Sequence, residues 1–374
     1  MARDRPCGLP VLRQNGGVSG AASSERIAII DAFRGIAIAA VMIYHYLVRW
    51  RPPENARDLV GYQTCFPQWL DFGRYGVDLF FVISGLVITM TLLRSRHALD
   101  FAVRRFARIY PAFVPAALLT FGAMALFGPA EMRTGPADLV ASLFLVPEEL
   151  HLQYVDGAYW SLAVELRFYV LTALFYFFFA RRFWIALVAV AVVGQVIWNA
   201  HYHIAERALL VAYMPLFLIG IGGWLALMQR DRSGWICLAA GCFLYISGAL
   251  VHPRVPPFDA SFQWLRHTFV LGGAALMLLL MRVRPHWQLG PLAWLGAISY
   301  SLYLVHQNIG VTVIGALKRL AAPDLVAIMG GVAVTVLLAM VMYRCIEGPG
   351  KTWVMTAYRR FNATLASRRD QPAS

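Results

Sequence analysis

Three ionisable residues interrupt the first long apolar run of the chain, DAFRGIAIAAVMIYHY at 31–46. Arg34 and His45 are eleven residues apart. On an α-helix that separation is three turns plus about 20°, so both side chains share one stripe, about 16 Å apart along the axis. Asp31 precedes Arg34 by three residues and can pair with it on the same face. A guanidinium suits an anionic group, and an imidazole suits proton transfer near neutral pH. Four further stretches carry comparable chemistry. Arg105 and Arg108 stand in an RxxR spacing, neighbours on a helix that can clamp a phosphate. Glu165 lies in YWSLAVELRFYV, and His306 in AISYSLYLVHQ. Asp78, at the start of VDLFFVISGLVIT, is an acceptor-side candidate.

Each of these has a plainer reading. A histidine in an apolar helix can serve only to bond a neighbouring helix. An RxxR tract can be a topogenic charge cluster. Glu165 can neutralise Arg167, and Asp78 can face water at an interface. The joint arrangement speaks for function: cations suited to phosphates at one end, titratable groups at the other.

The elements that must position these residues are membrane helices. Of 374 residues, 59% are hydrophobic and 14% charged, with a mean hydropathy of +0.60; an ordinary soluble domain carries about 25% charged residues. The expected fold is an all-α polytopic membrane protein, with about ten transmembrane helices around a central cavity. Runs of about 20 apolar residues fall at 27–48, 76–93, 110–128, 160–180, 183–199, 209–228, 235–251, 265–281, 291–316 and 324–343. A shorter apolar patch from Ala137 reads as an interfacial or re-entrant piece. Residues 1–26 read as a disordered tail, 27–358 as the membrane domain and 359–374 as a second tail.

The net charge of +13 sits in arginine tracts between apolar segments, not on one amphipathic face, which argues against nucleic acid as partner. The tracts alternate along the chain and place both termini in the cytoplasm by the positive-inside rule. The five cysteines show no metal-ligand spacing and no even disulfide set, and no metal is expected.

The chain resembles the acyltransferase 3 family of integral membrane acyltransferases. The resemblance is carried by DAFRGIAIAAVMIYH, GVDLFFVISGLVIT, RFARIYPAF, YWSLAVELRFY, SYSLYLVHQ and RCIEGPGKTW, in that order. It implies transfer of an acyl group, acetyl by default, from acyl-CoA to a hydroxyl of a cell-surface or exported glycan, in the inner membrane of a bacterium. It ties Arg34 and His45 to donor and catalysis, and points to Arg105, Arg108, Glu165 and His306. The fourth-span motif departs from the family's EEQFY: here it reads ELRFY, with Leu166 in place of a carboxylate and Arg167 adding a cation. Some members carry a hydrolase-like domain after the last span; only the membrane module is expected here.

The expected chemistry has Arg105 and Arg108 on the nucleotide phosphates, Arg34 oriented by Asp31 further in, and His45 as general base with Glu165 orienting its ring. Two rival readings remain: a transporter or flippase for a glycolipid or small anion, and a non-catalytic membrane scaffold, which has no need of the Arg34–His45 stripe.

Overall fold

A computed structural model of the chain describes residues 19–51, 55, 58–199, 209–251, 263–283 and 290–369. The described residues are helical, with no strand among them. Among the described residues six segments are long and apolar enough to cross a bilayer: Ile27–Leu47, Gln68–Leu92, Ala98–Phe127, Gly157–Phe179, Trp264–Val283 and Asp324–Thr364. Phe183–Val196 and Met214–Met228 are apolar but shorter. Large apolar side chains on the outer helix faces are exposed, among them Leu126, Phe127, Phe178 and Leu337, as lipid-facing surfaces require.

The elements that build the site are α1 (Ser19–Leu47), α2 (Gly76–Leu92), α3 (Ala98–Phe127), α4 (Pro136–Leu143), α5 (Trp160–Phe179), α6 (Phe183–Asn199) and α7 (Met214–Gly223). They continue with α8 (Arg232–Val251), α9 (Gln263–His267), α10 (Gly273–Val283), α11 (Gly290–Ala297), α12 (Ser299–Val305), α13 (Gln307–Arg319), α14 (Asp324–Met342) and α15 (Gly348–Arg369).

Several boundaries differ from the sequence expectation for physical reasons. The first helix begins at Ser19, inside the stretch read as a disordered tail, because Ala, Ser and Glu there tolerate helix; residues 1–18 lie outside the described residues. The expected tail 359–374 is helical as far as Arg369. The third helix starts at Ala98, capped by the His97 ring, which accepts from the Asp100 N–H. Arg105 and Arg108 therefore ride on the spanning helix itself, not on a loop before it. The run 291–316 is three helices, α11 to α13, and His306 sits at the joint between the last two.

Glycines bring the site helices close. A Cβ at Gly85 of α2 would stand 2.2 Å from the Phe217 carbonyl oxygen, and one at Gly220 of α7 2.0 Å from that of Val82. Those two helices thus meet backbone to backbone beside Ser84, a contact that small residues permit.

Candidate active site

A slot of about 330 Å³ lies between α1, α2, α3, α5, α12 and α15. Helix α2 lines it with Val77, Phe80, Ser84 and Val87, and α5 lines it with Ser161, Leu162, Glu165 and Tyr169. At a rise of 1.5 Å per residue, Val77 to Val87 spans about 15 Å.

One end is cationic. Arg34, Arg105, Arg108 and Lys351 all line it. Arg34 bonds Asp31 at 3.5 Å, the pair expected from their spacing. Arg105 donates to Thr91 and lies over the rings of Tyr169 and Phe101, at 5.4 and 5.8 Å. Arg108 is paired with Glu347 and lies 5.0 Å over the Tyr300 ring. Ser301 donates to the other Glu347 oxygen at 2.7 Å. Glu347 closes a π-helical turn, Tyr343–Glu347, and such turns recur at functional sites because they re-aim a side chain. Two lining atoms, Arg105 Nε and Ser299 Oγ, are buried without a hydrogen-bond partner. Buried polar atoms are rarely left so, and in a cavity they are ready for a polar ligand.

The middle of the slot holds Glu165. It accepts from Ser84 Oγ at 2.6 Å and from the Tyr169 hydroxyl. Glu165 does not neutralise Arg167, which pairs with Glu149.

Beyond the other end stands a pair of histidines. His45 Nδ1 and His306 Nε2 are 2.7 Å apart, and the rings stack at 4.9 Å. His306 Nδ1 lies 2.8 Å from the Tyr303 carbonyl oxygen. A carbonyl only accepts, so that nitrogen carries the proton and His306 Nε2 is the acceptor. His45 Nδ1 must then donate, which leaves the lone pair of His45 on Nε2. That nitrogen bonds no other described residue.

The dyad is held rigidly. The Tyr46 hydroxyl donates to the His306 carbonyl at 2.9 Å and stands 3.0 Å from Thr335 Oγ1. Asp156 accepts from the backbone N–H groups of Ala158 and Asn308, at 2.9 and 3.1 Å. It thereby staples the α12–α13 joint to the loop before α5. Burial pushes the Asp156 carboxyl up to about 7, against those two donors.

Three sequence expectations meet a different geometry. Glu165 was expected to orient the His45 ring; the partner is His306, and Glu165 bonds Ser84 and Tyr169 instead. Arg34 and His45 were expected to share one cavity. Arg34 lines it, whereas His45 and His306 stand behind its Tyr303 wall, the Tyr303 and His306 rings 5.4 Å apart. Asp78, the acceptor-side candidate, does not line the cavity. It forms a buried ion pair with Arg266 at 3.3 Å, the arrangement that charges within hydrocarbon require. Glu347, Lys351 and Tyr303 were given no role from sequence. The signal was present in RCIEGPGKTW, where a carboxylate and an ammonium stand four apart, on one helix face. Among the described residues no group of three His, Cys, Asp or Glu side chains could hold a metal.

An all-helical membrane protein that holds a cation cluster in a cavity and a histidine dyad behind that cavity's wall has the parts of a group-transfer enzyme. A family model described as an acyltransferase domain matches residues 27–344, and the chain belongs to that family, acyltransferase 3. It is 28% identical over 363 residues to the O-acetyltransferase OatA of Staphylococcus aureus, covering 86% of this chain and 56% of that protein. It is 24% identical to the peptidoglycan O-acetyltransferase OatA of Listeria monocytogenes, over 87% of this chain and 56% of that protein. The putative peptidoglycan O-acetyltransferase YrhL of Bacillus subtilis is 26% identical, over 88% and 56%. The chain thus spans about half the length of these curated relatives. No solved structure matches it.

Proposed function

We propose that this protein is a membrane O-acetyltransferase that moves an acetyl group from cytoplasmic acetyl-CoA to a hydroxyl of a cell-surface glycan. The observation that carries the reading is the slot itself, four cations at one end and a tautomer-locked histidine dyad behind the other. Its length of about 15 Å suits a pantetheine arm, and its apolar walls with scattered hydroxyls suit that arm's alternating methylene and amide segments. Arg105, Arg108 and Lys351 hold the nucleotide phosphates, with Arg34, oriented by Asp31, on the donor further in. If the termini are cytoplasmic, as the arginine tracts favour, the cationic end faces the cytoplasm and the dyad faces outward, in the inner membrane of a bacterium. The relatives' names make peptidoglycan the first acceptor to test.

In the reaction, the acceptor hydroxyl attacks the thioester carbonyl. The new C–O bond forms as the C–S bond breaks, and the hydroxyl proton passes to His45 Nε2. The imidazolium is stabilised through Nδ1 by His306 Nε2, whose lone pair points at it. The proton then returns to the departing thiolate as CoA thiol. His306 fills the orienting role that a carboxylate fills in other His-based sites. Glu165, with Ser84 and Tyr169, presents an acceptor for the amide N–H groups of the arm.

The reading is tested by mass spectrometry of surface glycans from cells with and without the protein. Ester-linked acetyl groups are expected only when it is present. A carrier for a glycolipid or anion would leave acetyl-CoA untouched in detergent; an acetyltransferase releases CoA thiol from it.

A further inference from the structure

We propose that Phe80 sets the length of acyl group the site accepts, by closing the dyad end of the slot against Tyr303. The inference rests on the donor reading above. The rings of Phe80 and Tyr303 meet edge to face, 5.9 Å apart at 73°, and both line the slot.

The two rings are held differently. The Tyr303 hydroxyl lies 2.7 Å from Ser161 Oγ and 3.1 Å from the Ala158 carbonyl oxygen. Its own carbonyl accepts from His306 Nδ1–H at 2.8 Å. Tyr303 is therefore fixed at both ends, and moving it would disturb the dyad. Phe80 has no polar atom to tie and is only half-buried; apolar packing alone keeps it in place. Of the pair, Phe80 is the adjustable member.

A thioester brought up to the dyad must lie against Tyr303. Whatever extends beyond its carbonyl carbon then meets the Phe80 ring. A methyl group asks for little room there. Each further methylene has to displace an aromatic ring packed against a fixed one. One methylene in an apolar pocket changes kcat/KM by roughly 10- to 200-fold, so the site selects acetyl over butyryl, and residue 80 is where that selection is made.

The test uses the full chain in lipid nanodiscs with acetyl-, propionyl- and butyryl-CoA, a chitooligosaccharide as acceptor, and CoA thiol release as readout. The unaltered protein is expected to favour acetyl over butyryl. The butyryl-to-acetyl ratio of kcat/KM should rise about tenfold or more in Phe80→Ala, with Phe80→Leu between. The Leu variant keeps an apolar side chain at the position and reads the effect if the Ala variant does not fold. An unchanged ratio across the series, with acetyl still transferred, would overturn the role of Phe80 and leave the function standing. No transfer from any of the three thioesters would overturn the donor assignment and the selector with it.

Discussion

The two ends of the slot are built on opposite principles. At the cationic end, charge is plentiful and shared. Arg34, Arg105, Arg108 and Lys351 arrive from three helices, and protein groups already occupy part of their capacity: Asp31 on Arg34, Thr91 on Arg105, Glu347 on Arg108. At the other end the proton acceptor is His45 Nε2, and its partner His306 is buried and tied to the Tyr303 carbonyl and the Tyr46 hydroxyl. Binding at the first end is distributed, so no single cation should be indispensable. Chemistry at the second end passes through one atom, so its loss should be near total.

The largest effect expected is at His45. His45→Ala should lower the transfer rate by roughly 10²- to 10⁴-fold, the usual contribution of a positioned general base, with donor binding retained. His306→Ala comes next. It frees the tautomer of His45, so kcat should fall by about tenfold or more while KM for acetyl-CoA holds, and His306→Gln, which restores an acceptor for Nδ1–H, should recover part of it. A KM change alone at His306 would break the contrast between the two ends.

At the cationic end the expected pattern reverses. Arg105→Ala or Lys351→Ala should each raise KM for acetyl-CoA by about tenfold, the worth of one charge-assisted hydrogen bond, with kcat little changed. Glu347→Ala leaves Arg108 without its counter-ion and should cost about 1.5–3 kcal/mol of stability, read as a lowered Tm in detergent.

The smallest effect is in pH. Asp156 lies just before the fifth helix, and its carboxyl sits at about 7 in the folded protein against 3.8 ordinarily. The folded state therefore favours the neutral form. This group's stabilisation is full below about pH 4 and is lost as the pH rises to about 7. Tm should fall over that interval, and Asp156→Asn should flatten the slope.

The legible part of this site was the part written in local spacing. Arg34, Asp31 and His45 fall on one face by helical arithmetic, and Arg105 and Arg108 reach the slot from one helix. His306 could be named from its motif, yet its partnership with His45 bridges 261 residues, and no periodicity encodes such a pairing. A carboxylate was expected against the imidazole because carboxylates commonly orient histidines; here a second histidine does so, and Glu165 turns to Ser84. The pairing of Glu347 with Arg108 stayed hidden for another reason. A π turn carries Glu347 to Arg108, and a count in steps of 100° does not include that extra residue. In the ninth apolar run the polar triplet His306, Gln307 and Asn308 stands at the joint, but polarity alone does not tell a break in a helix from a polar stripe along it.

The decisive measurement follows a labelled acetyl group. The full chain and His45→Gln, each in nanodiscs, are given acetyl-CoA labelled in the acetyl carbon together with peptidoglycan fragments. Label should appear as glycan ester with the unaltered protein and not with the variant, while both bind CoA equally. Label transferred by His45→Gln at the unaltered rate would contradict the assignment of Nε2 as the proton acceptor.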